Sequence, residues 1–234
     1  MEVLTSYVRE NSPLPEKEQE AKAIDIDVQA ALTVIGRRHI NRRNLKKLEE
    51  EKSIDLTKTN LTEANLTEAN LTKALLERAD LTDANLTKAL LERADLKRAD
   101  LKRANLTQAV ITEQANLYKT NFKGANLTKV NFTEANLSQT NFKGANLQKA
   151  NLYKANLINA DLEGADLRKA DLRRANFPQT KLRNAKLFCA NLSKVHNLTI
   201  EQVKLAEKWE EAIYDPDFRQ KLGLPSASKK NNCQ

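Results

Sequence analysis

From residue 54 to residue 194 the chain places an aliphatic or aromatic residue at every fifth position, a period that no single regular element shares. A helix returns its apolar face about every 3.6 residues and a strand every 2. The apolar centres run from Leu56 to Ile111, skip one residue near Glu113–Gln114, and resume from Leu117 to Leu192, for 28 units. Most centres are Leu, with Phe122, Phe132, Phe142 and Phe177 as the aromatic ones. Two residues before each centre stands Ala, replaced by Thr59, Thr120, Thr140, Thr180, Val130 and Ile54. Asn or Asp fills most places between them, and the two remaining places vary among Thr, Lys, Glu, Gln and Arg.

The Ala and the centre are two apart, so a short extended piece points both to one side. The chain must then turn before the next piece. Stacking such pieces gives a solenoid with Ala and Leu inside and the variable residues in water. Four units per coil follow from the spacing of Gly124, Gly144 and Gly164, and of Phe122 and Phe142, all 20 residues apart. That register stacks the two rings and puts the glycines in one column, where a turn with positive φ suits them. The units then divide into about seven coils, and the inserted residue falls at a coil junction as a bulge.

The repeated A-N/D-L-x-x phrase, with near-identical N-F-K-G-A-N-L at 121–127 and 141–147, resembles the pentapeptide repeat family. The resemblance implies an all-β solenoid: a right-handed, four-sided β-helix with Leu, Phe and Ala inside and Asn/Asp ladders near the corners. The phrases M-E-V-L-T-S-Y-V-R-E-N and V-Q-A-A-L-T-V-I-G-R-R resemble a flank of larger cyanobacterial members, some of which carry membrane segments upstream.

Four segments are expected: a helical flank and linker at 1–53, the solenoid at 54–198, a helical cap at 199–224 and a disordered tail at 225–234. A solenoid end exposes apolar cross-section and unpaired backbone, so each end needs a cover. In the first flank, Val3, Leu4, Tyr7 and Val8 form one short face, and 26–37 is a second helix with Val28, Ala31, Leu32 and Ile35 on one face. Ser12-Pro13-Leu14-Pro15 breaks the chain between them. At the other end, Thr199 and Gln202 form a capping-box pattern. A helix is expected to follow with Val203, Ala206, Trp209 and Ile213 on one face. Asp215-Pro216 then starts another helix, and Gly223 stops it. Trp209 and Phe218 are expected to cover the last coil.

The net charge of +8 lies wholly on the solenoid, because residues 1–53 and 199–234 each balance their charges. On the third and fourth sides of the last coils stand Lys129, Lys149, Lys154, Arg168, Lys169, Arg173, Arg174, Lys186 and Lys194, against Glu134, Asp166 and Asp171. Such a basic corner suits phosphates, acidic proteins or anionic lipid heads. Solvation alone also accounts for lysines at water-facing places. Some members of the family mimic DNA with a negative surface and bind topoisomerases. This chain's only acidic strip, Glu63, Glu68, Asp80, Asp83 and Glu92, is interleaved with Lys73, Arg78, Lys88 and Arg93. A solenoid of net charge +8 lacks that negative surface, so the resemblance does not carry that activity over, and a DNA-mimic topoisomerase regulator is kept as a further alternative on that strip alone.

Catalytic chemistry has little material. His39 sits in a basic linker, His196 reads as a turn residue, and Asp161, Asp166 and Asp171 read as corner groups bonded to turn backbone. Cys189 reads as an exposed incidental thiol, and two cysteines fit a reducing compartment. Leu75, Leu90 and Val110, at Asn/Asp places, read as apolar surface spots. The outward aromatics Tyr118, Tyr153 and Phe188 are assigned to different sides. No metal site, cofactor or transmembrane stretch is expected. The resulting expectation is a non-enzymatic, monomeric, cytoplasmic scaffold for a protein partner. Membrane association would follow from a longer native N-terminus, and binding of nucleic acid or anionic lipid is the alternative.

Overall fold

The structure is a computed structural model that describes residues 2–14, 24, 26–37, 53–112, 114–225 and 233. The unit's pattern works because it gives a partner to each of its five backbone N–H groups. In the unit centred on Leu81, the Leu81 N–H reaches the next coil at Asp100 O (2.7 Å), and Asp83 N–H does the same at Lys102 O (2.9 Å). Asp80 N–H reaches the previous coil at Thr59 O (2.9 Å), while Ala84 N–H closes the turn on Leu81 O (3.0 Å). The fifth donor, Thr82 N–H, is taken by the Asp80 carboxylate (2.9 Å). This last bond is the reason for Asn or Asp at that place: without its side chain one turn N–H loses its local partner.

The pairing takes the form of isolated parallel bridges, and no extended strand forms among the described residues. The bridges fall into four columns. Column one is Asp55, Leu75, Asp95, Asn116, Asn136, Asn156, Asn176 and His196; column two begins at Asn60, column three at Asn65 and column four at Asn70. The step is 20 residues, rises to 21 from Asp95↔Asn116 to Val110↔Asn131, and returns to 20 at Asn116↔Asn136. The extra residue is thus absorbed in one junction, where Gln114 takes φ 69°. His196, expected in a turn, is bridged to Asn176.

Every centre from Leu56 to Leu192 is at most 2% exposed. Phe122 and Phe142 stack at 5.3 Å, and Phe132 meets them edge-on at 5.9 and 6.1 Å, geometries that aromatic quadrupoles favour. Left-handed φ is not confined to the glycine column. Lys129 (58°), Lys149 (57°) and Arg174 (59°) adopt it at the same turn place, so the three glycines relieve a strain that other turns carry.

Where Thr replaces the inward Ala, its hydroxyl finds a carbonyl. Thr120 donates to Leu96 O (2.8 Å), Thr140 to Leu117 O (3.0 Å) and Thr180 to Leu157 O (2.8 Å). Thr140→Val keeps the shape and removes this bond; the Leu117 carbonyl still accepts from Thr120 N–H. Urea unfolding is expected to show a loss of about 0.5–1.5 kcal/mol.

The first coil's unpaired donors are met by the N-terminal flank. Helix α1 (Glu2–Asn11) and helix α2 (Ile26–Gly36) pack on each other and bury Val8, Val28, Leu32 and Ile35. Ser12 O accepts from Asn60 N–H (2.7 Å), and Gly36 O from Asn70 N–H (2.8 Å). The side-chain amide of Gln29 stands in for a strand: its oxygen accepts from Asn65 N–H (2.8 Å) and its nitrogen donates to Asn65 O (2.9 Å). Gly36 is required by contact, since a Cβ there would lie 2.8 Å from Ala69 Cβ. The breaker is therefore also an edge partner, with Pro13 bridged antiparallel to Thr59.

The C-terminal cover departs from the expected helix. Helix α3 (Ile200–Lys204) carries the capping box but ends before Ala206. The chain then resumes the solenoid: Glu207 bridges Lys186 and Ile213 bridges Asn191. Ala206, Ala212 and Tyr214 fill inward places and are buried. Trp209 lies in a 3-10 turn and Phe218 in helix α4 (Pro216–Lys221); both are only partly buried. Tyr214 is the ring that closes the end, its hydroxyl bonded to Trp209 O (2.8 Å) and its phenol pushed up by burial.

Cys189 is not an exposed thiol. It is 5% exposed and joined to Cys233, 44 residues on. The pairing removes the cysteine argument for a reducing compartment. His39 and most of the 225–234 tail lie outside the described residues.

Candidate interaction surface

The stacked turns turn sequence places into vertical rows on the outside. The second variable place after column three carries Glu68, Lys88, Gln108, Lys129, Lys149, Lys169 and then Cys189. The row after column four ends with Glu134, Lys154, Arg174 and Lys194. All the basic residues expected at this corner are exposed.

Their charges are not equally available. Arg168 holds Asp166 (Nη2–Oδ2 2.6 Å) and Arg173 holds Asp171 (2.6 Å), each two residues away in its own turn. Lys154 reaches down one coil to Glu134 (2.8 Å). Lys129, Lys149, Lys169, Arg174, Lys186 and Lys194 have no ion pair among the described residues. The open charge is therefore a vertical row, Lys129–Lys149–Lys169, with steps of about 4.8 Å. Arg174 and Lys194 stand on the neighbouring corner.

The aspartates play the turn role expected of them. Glu163, Arg168 and Arg173 N–H groups donate to Asp161, Asp166 and Asp171 at 3.1, 3.2 and 3.1 Å. Burial alone pushes the Asp171 carboxyl up, but the Arg173 side-chain and backbone hydrogen bonds and the Arg173 charge bring it below the usual range. A carboxylate lowered on folding adds stability above the unfolded value near 3.9, lost as pH falls through the folded value. Urea midpoints are expected to stay level above about pH 5 and to fall below about pH 4. Asp171→Asn keeps the turn acceptor and is expected to flatten part of that fall.

Two members of the acidic strip are paired with cations and a third serves its turn. Asp83 is held by Arg103 (Oδ1–Nε 2.8 Å), Glu68 meets Lys88 at 3.1 Å, and Asp80 accepts a turn N–H. The apolar spots are separate: Leu75 (40% exposed) lies in column one, Leu90 and Val110 in column four. No cluster of metal-ligating side chains occurs among the described residues. No described helix is long and apolar enough to cross a membrane.

A solenoid of five-residue units in four bridge columns defines a repeat-protein class. The family model "Pentapeptide repeats" matches residues 53–83, 74–112, 113–144, 131–168 and 165–196, and the chain belongs to that family. Its members are right-handed quadrilateral β-helices. Full-length QnrB1, described as a plasmid-mediated fluoroquinolone resistance protein, is 22% identical with TM-score 0.58, covering 70% of this chain and 83% of its own. HetL, a pentapeptide repeat protein involved in heterocyst differentiation regulation from the cyanobacterium Nostoc, is 30% identical with TM-score 0.37, over 67% and 80%. Rfr23 from the cyanobacterium Cyanothece is 32% identical with TM-score 0.31, over 50% and 64%. No curated protein matches. The QnrB1 likeness speaks for the fold alone.

Proposed function

We propose that this chain is a non-enzymatic scaffold that docks an acidic protein surface on the Lys129–Lys149–Lys169 row, with Arg174 and Lys194 beside it. Architecturally it is a right-handed β-helix of about seven coils that works as a monomer. The observation that carries the reading is the row itself: three exposed ammonium groups on rigid turns, without ion pairs among the described residues. Each turn is fixed by backbone bonds to both neighbouring coils, so little ordering of the docking surface is required on binding. Arg168 and Arg173 present charge already shared with Asp166 and Asp171, and contribute less.

Affinity capture from native extract, with and without nuclease, tests this against the charge-reversed variant Lys149→Glu/Arg168→Glu/Lys169→Glu/Arg174→Glu. A protein retained by the wild type after nuclease treatment and lost by the variant is expected. Captured material that vanishes with nuclease would replace the protein partner by nucleic acid. A partner held equally by both forms would move the docking site elsewhere.

A further inference from the structure

A second cationic row stands on the opposite half of the molecule. The second variable place after column one carries Lys58, Arg78, Arg98 and Lys119 in four successive coils. All four are exposed, all have left-handed φ between 55° and 60°, and none has an ion pair among the described residues. The carboxylates nearby are engaged: Glu77 with Lys97 (3.6 Å), Asp55 with Arg9, and Asp95 with the Lys97 N–H (3.0 Å) and the Asn116 amide (3.2 Å). Three steps of about 4.8 Å make a row of roughly 14 Å of like charge.

This row bounds the same side of the solenoid as the row ending in Lys154, Arg174 and Lys194. The turn at Tyr153–Lys154 leads directly into Asn156 of column one, and Tyr118 follows Asn116 of the same column. Tyr118 and Tyr153, assigned by sequence to different sides, therefore mark the two edges of one side. Each ring lies against cations: Lys119 Nζ is 5.2 Å from the Tyr118 centroid, and Lys154 Nζ and Arg173 Cζ are 5.5 and 5.7 Å from Tyr153. Between the edges, the upper part of column one is Asn116, Asn136, Asn156 and Asn176, with no carboxylate. On that edge Glu134 is held by Lys154.

We propose that this side binds single-stranded nucleic acid, running from the Lys58–Lys119 edge across the asparagines to the Lys154–Lys194 edge. Cations that follow the phosphates, with half-exposed rings beside them on which bases can stack in place of the lysine ammonium groups, are the two components of sequence-tolerant strand binding. The rings select the single strand, because duplex bases have no free face to offer. An acidic peptide would use the charges and offer no flat face to the rings. This site shares the Arg174–Lys194 corner with the proposed docking surface but not the Lys129–Lys149–Lys169 row, and its Lys58–Lys119 edge and its two rings stand whether or not that row docks a protein.

Fluorescence anisotropy with a labelled 20-nucleotide oligothymidylate, between 50 and 200 mM salt, tests the assignment on the full chain. Binding is expected, with affinity falling log-linearly in salt. Arg78→Glu/Arg98→Glu/Lys119→Glu is expected to lose at least about tenfold in affinity and to flatten the salt slope. Tyr118→Ala/Tyr153→Ala is expected to lose about tenfold with the slope retained. Lys129→Glu/Lys149→Glu/Lys169→Glu, with the same charge change on the other corner, is expected to bind within about twofold of wild type. No binding, an equal loss in that control, or equal affinity for a duplex would overturn the proposal. So would tighter binding to polyglutamate or to phosphatidylserine vesicles.

Discussion

Phe142→Ala is expected to destabilise the solenoid by about 3–5 kcal/mol. Its ring is fully buried, stacked on Phe122 and edge-on to Phe132. Truncation removes the apolar burial and opens a cavity that backbone pinned by bonds to Asp161 and Thr120 cannot collapse to fill. Leu147→Ala, at the next inward place but one coil side away, is expected to cost about 2–5 kcal/mol. Lys149→Ala, two residues further and outside, is expected to stay within about 0.5 kcal/mol. Urea unfolding followed by circular dichroism reads all three. A Phe142→Ala cost near zero would mean that the inward phase is misassigned.

Loss of the Cys189–Cys233 link is expected to lower stability by about 2–4 kcal/mol, since it closes a 44-residue separation in the unfolded chain. The link joins the last solenoid corner to the chain beyond helix α4, so it holds the cover formed by Val203, Ala206, Ala212 and Tyr214. Cys233→Ser and treatment of the wild type with reductant are expected to give the same drop in the urea midpoint. They are also expected to speed amide exchange at Ile213, whose N–H bonds to Ala190 O at 2.9 Å. No change with either treatment would mean that the cover is held by packing alone.

The inward residues, the 20-residue register and the turn role of Asp166 and Asp171 are legible in the sequence because the same chemistry recurs at fixed places. The rings of Phe122 and Phe142 stack where counting puts them. What occurs once is not legible. Gln29 satisfies Asn65 across 36 residues, and no periodic signal marks it. Tyr214 fills an inward place because the chain after Lys204 leaves the helix and rejoins the bridge columns, although Val203, Ala206, Trp209 and Ile213 have helical spacing. Tertiary pairing overrides that spacing by supplying partners to Leu187 and Leu192 N–H. The basic corner's members follow from counting. Which of them are free does not, because pairs such as Lys154–Glu134 depend on side-chain reach between coils. The shared side of Tyr118 and Tyr153 is missed because a turn belongs to the two sides it joins.

Every functional reading rests on residues 20 apart being neighbours. Spin labels at Gln139 and Asn159, exposed places one coil apart in the same row, test this directly with the native disulfide left oxidised. Continuous-wave electron paramagnetic resonance is expected to show strong dipolar broadening, from backbone positions about 4.8 Å apart. Labels at Gln139 and Lys149, only ten residues apart but on opposite corners, are expected to show much less. Stronger broadening for the pair nearer in sequence would contradict the four-column register and the surfaces derived from it.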